Sequence, residues 1–182
     1  MKSVLISIRP KWTEKIANGE KTIEVRKSAP KEVPFKCYIY ETQGQYVKFT
    51  HGAHTKYGYG RGKVIGEFIC DKVYPIKNRG SRFSVADEEQ SVTNEIARQS
   101  CLDYDDMVSY FGNKDGFGWH ISDLKIYDKP KELSEFCIPC KVSCENCKNP
   151  LYFECWCEEK GKKIVTRPPQ SWCYVEDLGE EE

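Results

Sequence analysis

The apolar residues of this 182-residue chain fall in short runs that alternate with polar residues at period two, and glycine or proline closes most of them. This feature constrains the fold more than any other. Period two is the repeat of a β-strand, and frequent Gly and Pro keep strands short. VLISI at 4–8, TIEVRK at 22–27, CYIYE at 37–41, GKVIGEFICDKV at 62–73, FGWHISDLKIY at 117–127 and SWCYVE at 171–176 all read as strands. Gly66 inside the fourth run predicts a bulge or a close backbone approach. Helical periodicity is confined to two places. Pro10 opens a helix through Ala17 with Trp12 and Ile16 on one face, and Gly19 stands at its C′ position. Residues 84–111 read as one or two helices, with Ser84 as N-cap and Asp87, Glu88 and Glu89 in or near the first turn. A second helix starts near Asp103 and carries Met107, Tyr110 and Phe111. Residues 28–34 and 43–62 read as loops, the second with five glycines. There is no internal repeat and no heptad pattern. The expectation is the α+β class, a small mixed sheet or barrel with helices outside it.

Hydrophobic residues make up 39% and charged residues 31%, which is the balance of a globular domain with one core and an elaboration. No apolar run reaches the roughly 20 residues of a membrane span. The leading MKSVLISIRPKW has an apolar stretch of only about five residues before charge resumes at Arg9, too little for a signal peptide. The expected location is therefore the cytoplasm. Formal net charge is zero, yet residues 1–80 hold 16 Lys+Arg against 7 Asp+Glu, and residues 81–182 hold 12 against 21. A one-sided field that steers a polyanion is one consequence; remixing of the charges in three dimensions is the other.

GEKTIEVRK, residues 19–27, is the most pointed stretch. Thr22, Glu24 and Arg26 share one strand face, Ile23 and Val25 the other, and Lys21 lies in the turn just before. A solvated face with a structural Glu24–Arg26 pair is one reading. A cleft that grips an anion or a base is the other. Lysine brings a compact charge whose pKa falls on burial, and arginine a planar fork for phosphate or carboxylate. Glu24 orients Arg26 or accepts from an exocyclic amine. A neutral Lys21 would serve as general base or nucleophile, with Glu24 beside it. Arg9, Lys11 and Trp12 open the first helix, where backbone N–H groups favour anions and an indole can stack on a base. Trp119 and His120 point to opposite faces of their strand, so one faces the core. His51 and His54 make an H-x-x-H spacing that hints at metal but has no cysteine or carboxylate near it in sequence, while Lys48, Lys56 and Arg61 among aromatics make the 43–62 loop a candidate flexible nucleic-acid contact. Gln170, Trp172 and Tyr174 in PPQSWCYV read as closure of the barrel.

Six of the ten cysteines crowd into CIPCKVSCENCKNPLYFECWC, residues 137–157. Two C-x-x-C units and a C-x-C in a chain without a secretory signal point to thiolate metal binding before disulfides or free thiols. Three residues between the C-x-x-C units are too few for an ordinary zinc ribbon. The expected set is Cys140, Cys144, Cys147 and Cys157, with Cys137 and Cys155 as alternates, holding a structural zinc.

The order SIRPKW, GEKTIEVRK, YIY, GKVIGEF, WHISDL and PPQSWCYV resembles the ASCH domain of the PUA-like superfamily. The likeness covers residues 1–136 and 166–176, and leaves 137–165 as a Cys-rich insert and 177–182 as an acidic tail. Its most specific part is G-x-K-x-x-E-x-R, carried by Gly19, Lys21, Glu24 and Arg26. The resemblance implies a small PUA-like mixed β-barrel with helices packed on one side. It also implies a cleft containing Lys21, Glu24 and Arg26; the further binding candidates, Arg9, Lys11, Trp12 and Trp119, come from the residue reading above. The family is proposed to bind RNA, and some small members are hydrolases acting on acetylated cytidine nucleosides or on RNA. The amidohydrolase branch has threonine where this chain has Glu24, and its downstream glutamate has no match in EIARQSC. Three functions follow as expectations: an RNA- or nucleotide-binding module, a small hydrolase in the same cleft, and a protein-interaction module working through the Cys-rich insert and acidic tail.

Overall fold

The computed structural model describes residues 2–51, 54–80, 82–86, 88–139, 157–159 and 162–179. In chain order the elements are β1 (Lys2–Ile8), α1 (Pro10–Ala17), β2 (Ile23–Arg26), β3 (Phe35–Glu41), β4 (Gly44–His51), β5 (His54–Gly60), β6 (Lys63–Cys70), β7 (Val73–Asn78) and β8 (Phe83–Val85). They continue with α2 (Gln90–Ser100), α3 (Tyr104–Phe111), β9 (Gly116–His120), β10 (Ser122–Lys131), a 3-10 turn at Leu133–Glu135, β11 (Cys137–Pro139), β12 (Cys157–Glu159), β13 (Lys162–Ile164) and β14 (Trp172–Val175). The chain divides into two compact units, one of Met1–Pro10, Lys36–Glu67 and Ile126–Glu182, the other of Lys11–Phe35 and Phe68–Lys125.

The first unit is built on the sheet β10-β6-β3-β1-β14. β1 and β14 pair antiparallel with Leu5 opposite Cys173, which joins the start of the chain to its last strand. Leu5, Tyr38, Tyr40, Val64, Phe136, Val165 and Val175 form its core. Asp177 and Leu178, the start of the acidic tail, turn back onto β3: Tyr38 donates its hydroxyl to Asp177 Oδ1 at 2.6 Å and accepts from Leu178 N at 3.0 Å. Lys36 Nζ lies 3.1 Å from the same carboxylate. β11, β13 and β12 make a small sheet in which Cys137 is level with Ile164, and Cys157 with Lys163.

The second unit carries all but the first residue of α1, with α2 and α3, and the sheet β2-β9-β7-β8. Ile23 and Val25 pack with Ile76, Phe83, Val85, Ile96, Met107 and Phe111. Gly116 is small for a reason, since a Cβ there would lie 1.9 Å from the Phe111 ring.

Four expectations change. The 43–62 loop is the hairpin β4–β5, because its glycines sit where neighbours come close. A Cβ on Gly58 would meet the Tyr46 ring at 2.4 Å, and one on Gly60 the Thr42 carbonyl oxygen at 1.9 Å. The runs at 62–73 and 117–127 each break once, at 71–72 and at Ile121, so β6 and β10 join one sheet while β7 and β9 join another. For that reason the described strands form open sheets of five, four, three and two strands, and not one closed barrel. Ser84 caps nothing. It lies in β8, level with Lys77, and α2 begins at Gln90 after Glu89. The expectation near Asp103 matches, since its side chain accepts from Asp106 N at the start of α3. The Cys-rich segment's Cys140, Cys144, Cys147 and Cys155 lie outside the described residues.

Candidate functional site

Sequence places Lys21, Glu24 and Arg26 within six residues, and local backbone turns them together. Gly19 ends α1 at φ 73°, a left-handed conformation that glycine takes without strain. The amides of Glu20 and Lys21 both donate to the Lys15 carbonyl, at 2.9 and 3.1 Å, which folds the turn back on the helix. The chain then enters β2, pairing with β9 so that Glu24 is level with Trp119 and Arg26 with Phe117. Alternation holds as expected, with Ile23 and Val25 in the core. The opposite face is not solvated, however: exposures are 2% for Lys21, 5% for Glu24 and 6% for Arg26.

Glu24 bridges the two cations. Its Oε1 lies 3.0 Å from an Arg26 terminal nitrogen and its Oε2 lies 3.4 Å from Lys21 Nζ. Lys21 Nζ also donates to the Ser100 carbonyl at 2.5 Å. That carbonyl ends α2, where backbone oxygens lack helical partners and the helix dipole favours a cation. Two further bonds fasten the same helix end to this turn: Thr22 N to the Gln99 carbonyl at 3.0 Å, and the Cys101 thiol to the Glu20 carbonyl at 3.3 Å. Burial holds the Lys21 pKa below the ordinary lysine value, against the pull of the Glu24 carboxylate. The cluster is thus a buried group of two cations and one anion, with a lysine whose proton is held weakly.

Trp12 is half-buried and sits beside the cluster. Lys21 Nζ is 5.3 Å from its ring centroid, and Lys11 Nζ, on an exposed residue, is 4.4 Å away. The structure therefore brings Lys11, Trp12, Lys21, Glu24 and Arg26 into one neighbourhood within the second unit. Arg9 is exposed and belongs to the first unit. Of the pair Trp119 and His120, it is Trp119, named above as a binding candidate, that faces the core. Its exposure is 0%, and its ring meets Phe35 edge-on at 5.1 Å, because β9 is flanked by β2 and β7.

Ser100 and Asp71 had no signal in the sequence. Ser100 acts through a backbone carbonyl, which no side-chain pattern reveals. Asp71 lies in the break between β6 and β7 and sits 2.6 Å from His120 Nδ1 at the surface. Burial works to raise the Asp71 carboxyl, but the hydrogen bond to His120 leads the interactions that hold it below the usual range. In the hairpin, Val47 is level with Tyr57 and Gln45 with Tyr59, an exposed face on which Tyr59 is 71% open. His51 and His54 are level with each other, Lys56 and Arg61 are exposed, and Lys48 stands on β4. Trp172 and Tyr174 stack edge-on at 5.3 Å on β14, next to the exposed Gln170.

Among the described residues there is no group of three His, Cys, Asp or Glu side chains fit to hold a metal. Cys37, Cys70, Cys101, Cys137 and Cys173 form no disulfide with one another, and burial pushes Cys70 up to about 12, which makes it inert. Of the expected zinc ligands, Cys157 has a described backbone position across β13 from the alternate Cys137; the others lie outside the described residues. No described helix is long and apolar enough to cross a membrane.

No protein-family model matches this sequence, and no curated protein matches it. Solved structures do. The ASCH protein from Zymomonas mobilis aligns with a TM-score of 0.56 at 18% identity, over 96% of this chain and 88% of that one. A Tyr-to-Phe variant of it aligns at 0.54 and 16%, over 97% and 91%. A Ser-to-Ala variant aligns at 0.55 and 17%, over 96% and 89%. The chain therefore has the fold of an ASCH domain, mixed α+β with three helices among the described residues.

Proposed function

We propose that this chain is an RNA- or nucleotide-binding module, in which Lys21, Glu24 and Arg26 form the recognition cluster and Lys11 and Trp12 its accessible edge. The observation that carries the reading is burial of two cations and one carboxylate, Glu24 and Arg26 on one face of β2 and Lys21 in the turn before it. Apolar residues of similar volume would stabilise a fold as well or better than a buried ion pair. A net positive, desolvated cluster is suited instead to an anion that completes it. The indole beside it offers a surface on which a base can stack. The ASCH fold of the neighbouring structures agrees with such a module.

The test is binding of labelled single-stranded RNA, duplex RNA and DNA by fluorescence polarisation across a salt titration. Lys11→Ala and Trp12→Ala change the accessible edge and leave the buried charges in place. Single-stranded RNA should bind, weaken with salt, and lose about five- to tenfold in affinity on Trp12→Ala, as expected for one base–aromatic stack. Affinity unchanged in Lys11→Ala, Trp12→Ala, Lys21→Ala and Arg26→Ala would remove the cluster from the function.

One observation favours a second reading, a small hydrolase of RNA or a modified nucleoside. Lys21 carries a depressed pKa beside a carboxylate, which is how a lysine becomes a general base. Turnover that rises with pH as Lys21 loses its proton, and stops in Lys21→Met, would support it. Intact RNA and intact nucleoside after long incubation would leave the binding module alone.

A further inference from the structure

Away from the charged cluster, the second unit contains a cavity of about 210 Å³ between β8, α2 and α3. Its wall is apolar, with Phe83, Ile96, Ala97, Leu102 and Met107 among the lining residues. It has room for one planar ring, since a dry protein cavity of about 150 Å³ takes up benzene. Tyr104 stands at this wall with its ring 5.7 Å from that of Phe83, an aromatic pair against which a ring can pack. The amides of Gln90 and Asn94, bonded to each other at 3.0 Å, supply polar edges.

A wider polar hollow shares Arg82, Ser84, Val85, Gln90 and Thr93 with this cavity and adds Arg79 and Glu88. The two arginines flank the β7–β8 turn, where Arg79 N donates to the Arg82 carbonyl at 2.8 Å. Neither forms an ion pair with another described residue, and both are exposed. Three described carboxylates stand near them: Glu88 lies 3.9 Å from Lys72, Asp103 caps α3, and Asp115 pairs with Lys77 at 2.9 Å while also drawn by the charge of Arg79. An apolar, ring-sized cavity thus opens beside two exposed guanidinium groups that form no ion pair with a described residue.

We infer that this cavity binds a small aromatic anion, its ring between β8, α2 and α3 and its anionic group on Arg79 and Arg82. Arginine suits this role because its fork donates two parallel hydrogen bonds to a phosphate or carboxylate. The site is separate from the Lys21 cluster and does not depend on RNA binding.

Met107 makes the test direct. The chain has two methionines, Met1 and Met107, so methyl-labelled methionine gives a two-line spectrum with one line inside the cavity. The full chain is titrated with phenyl phosphate, benzoate and adenosine monophosphate. Benzyl alcohol, benzylamine and inorganic phosphate are the controls. The Met107 line should shift and saturate with at least one ring anion. The neutral and cationic rings should bind at least about tenfold more weakly, the scale of losing one charge-assisted hydrogen bond. Arg79→Ala with Arg82→Ala, at exposed positions that leave the core untouched, should weaken the ring anion by about tenfold or more. Ala97→Leu should fill the cavity and suppress the shift. The tighter of the nucleotide and the simple aryl acids identifies the source of the ligand. A Met107 line that moves for no ring anion at millimolar concentration overturns the inference. So does equal binding of the neutral ring, or unchanged affinity in the double arginine variant.

Discussion

Glu24 holds two cations with one carboxylate, and that arrangement sets the expected costs of changing each member. Glu24→Gln leaves Lys21 and Arg26 as like charges without an anion between them, in a place where all three are buried. The expected loss is about 3–5 kcal/mol in urea denaturation, the usual scale for stranding a buried charge. Lys21→Met keeps the Glu24–Arg26 pair and leaves the Ser100 carbonyl without its ammonium donor, for an expected loss of about 1–3 kcal/mol. The two variants also differ in pH response. Unfolded lysine titrates near about 10.4, and burial places the folded value lower. Between those values the unfolded chain binds more protons, so this group adds stability as pH rises. The stability difference between wild type and Lys21→Met should therefore widen from neutral toward alkaline pH, and parallel curves would show that Lys21 is not the desolvated lysine described. At this scale the spacing of Lys21, Glu24 and Arg26 was legible in the chain. The burial of both strand faces was not, because period two tells which residues share a face and not whether that face meets water.

Among the elements, the β4–β5 hairpin hides best in the sequence. Its glycines read as loop punctuation, yet they serve close packing. The contacts rank the glycines in advance. Gly60→Ala presses a methyl group against the backbone oxygen of Thr42, which cannot swing aside. Gly58→Ala presses only on the end of the Tyr46 ring. Gly60→Ala should cost about 1–3 kcal/mol, and Gly58→Ala less, with hydrogen exchange of the hairpin amides as the readout. Equal effects would mean that Tyr46 is as fixed as the backbone. The same confusion of local and tertiary signals explains β8. Ser84 has the chemistry of an N-cap, but Phe83 and Val85 on either side of it are buried, and strand pairing with β7 prevails. Asp103, with the same chemistry and no competing strand, caps α3.

For the whole molecule, folding undoes the division of charge between the halves of the chain. The two compact units interleave those halves, so one holds 15 Lys+Arg against 14 Asp+Glu and the other 13 against 14. A long-range field across the protein is not the expected origin of nucleic-acid affinity. The slope of log affinity against log salt should then stay shallow, about −2 to −3, as for three or four local phosphate contacts on a single strand. A steep slope would point to basic surface beyond the cluster. The cysteine segment carries a whole-molecule prediction as well. If Cys140, Cys144, Cys147 and Cys157 hold zinc, the purified chain contains about one equivalent and releases it to a chromogenic chelator on thiol modification. Cys144→Ser should lower that content well below half. A metal-free wild-type chain would leave these residues as thiols.

The end of α2 is pinned to the turn before β2 by three hydrogen bonds, one each from Thr22, Lys21 and Cys101. The same helix lends Thr93, Ile96 and Ala97 to the aromatic cavity. One rod therefore touches two chemically different places. Linkage then requires symmetry. If a ring anion tightens the grip on RNA by some factor, RNA must tighten the grip on the ring anion by that same factor. The protein would work as an adder of two signals, with α2 as the beam of the balance.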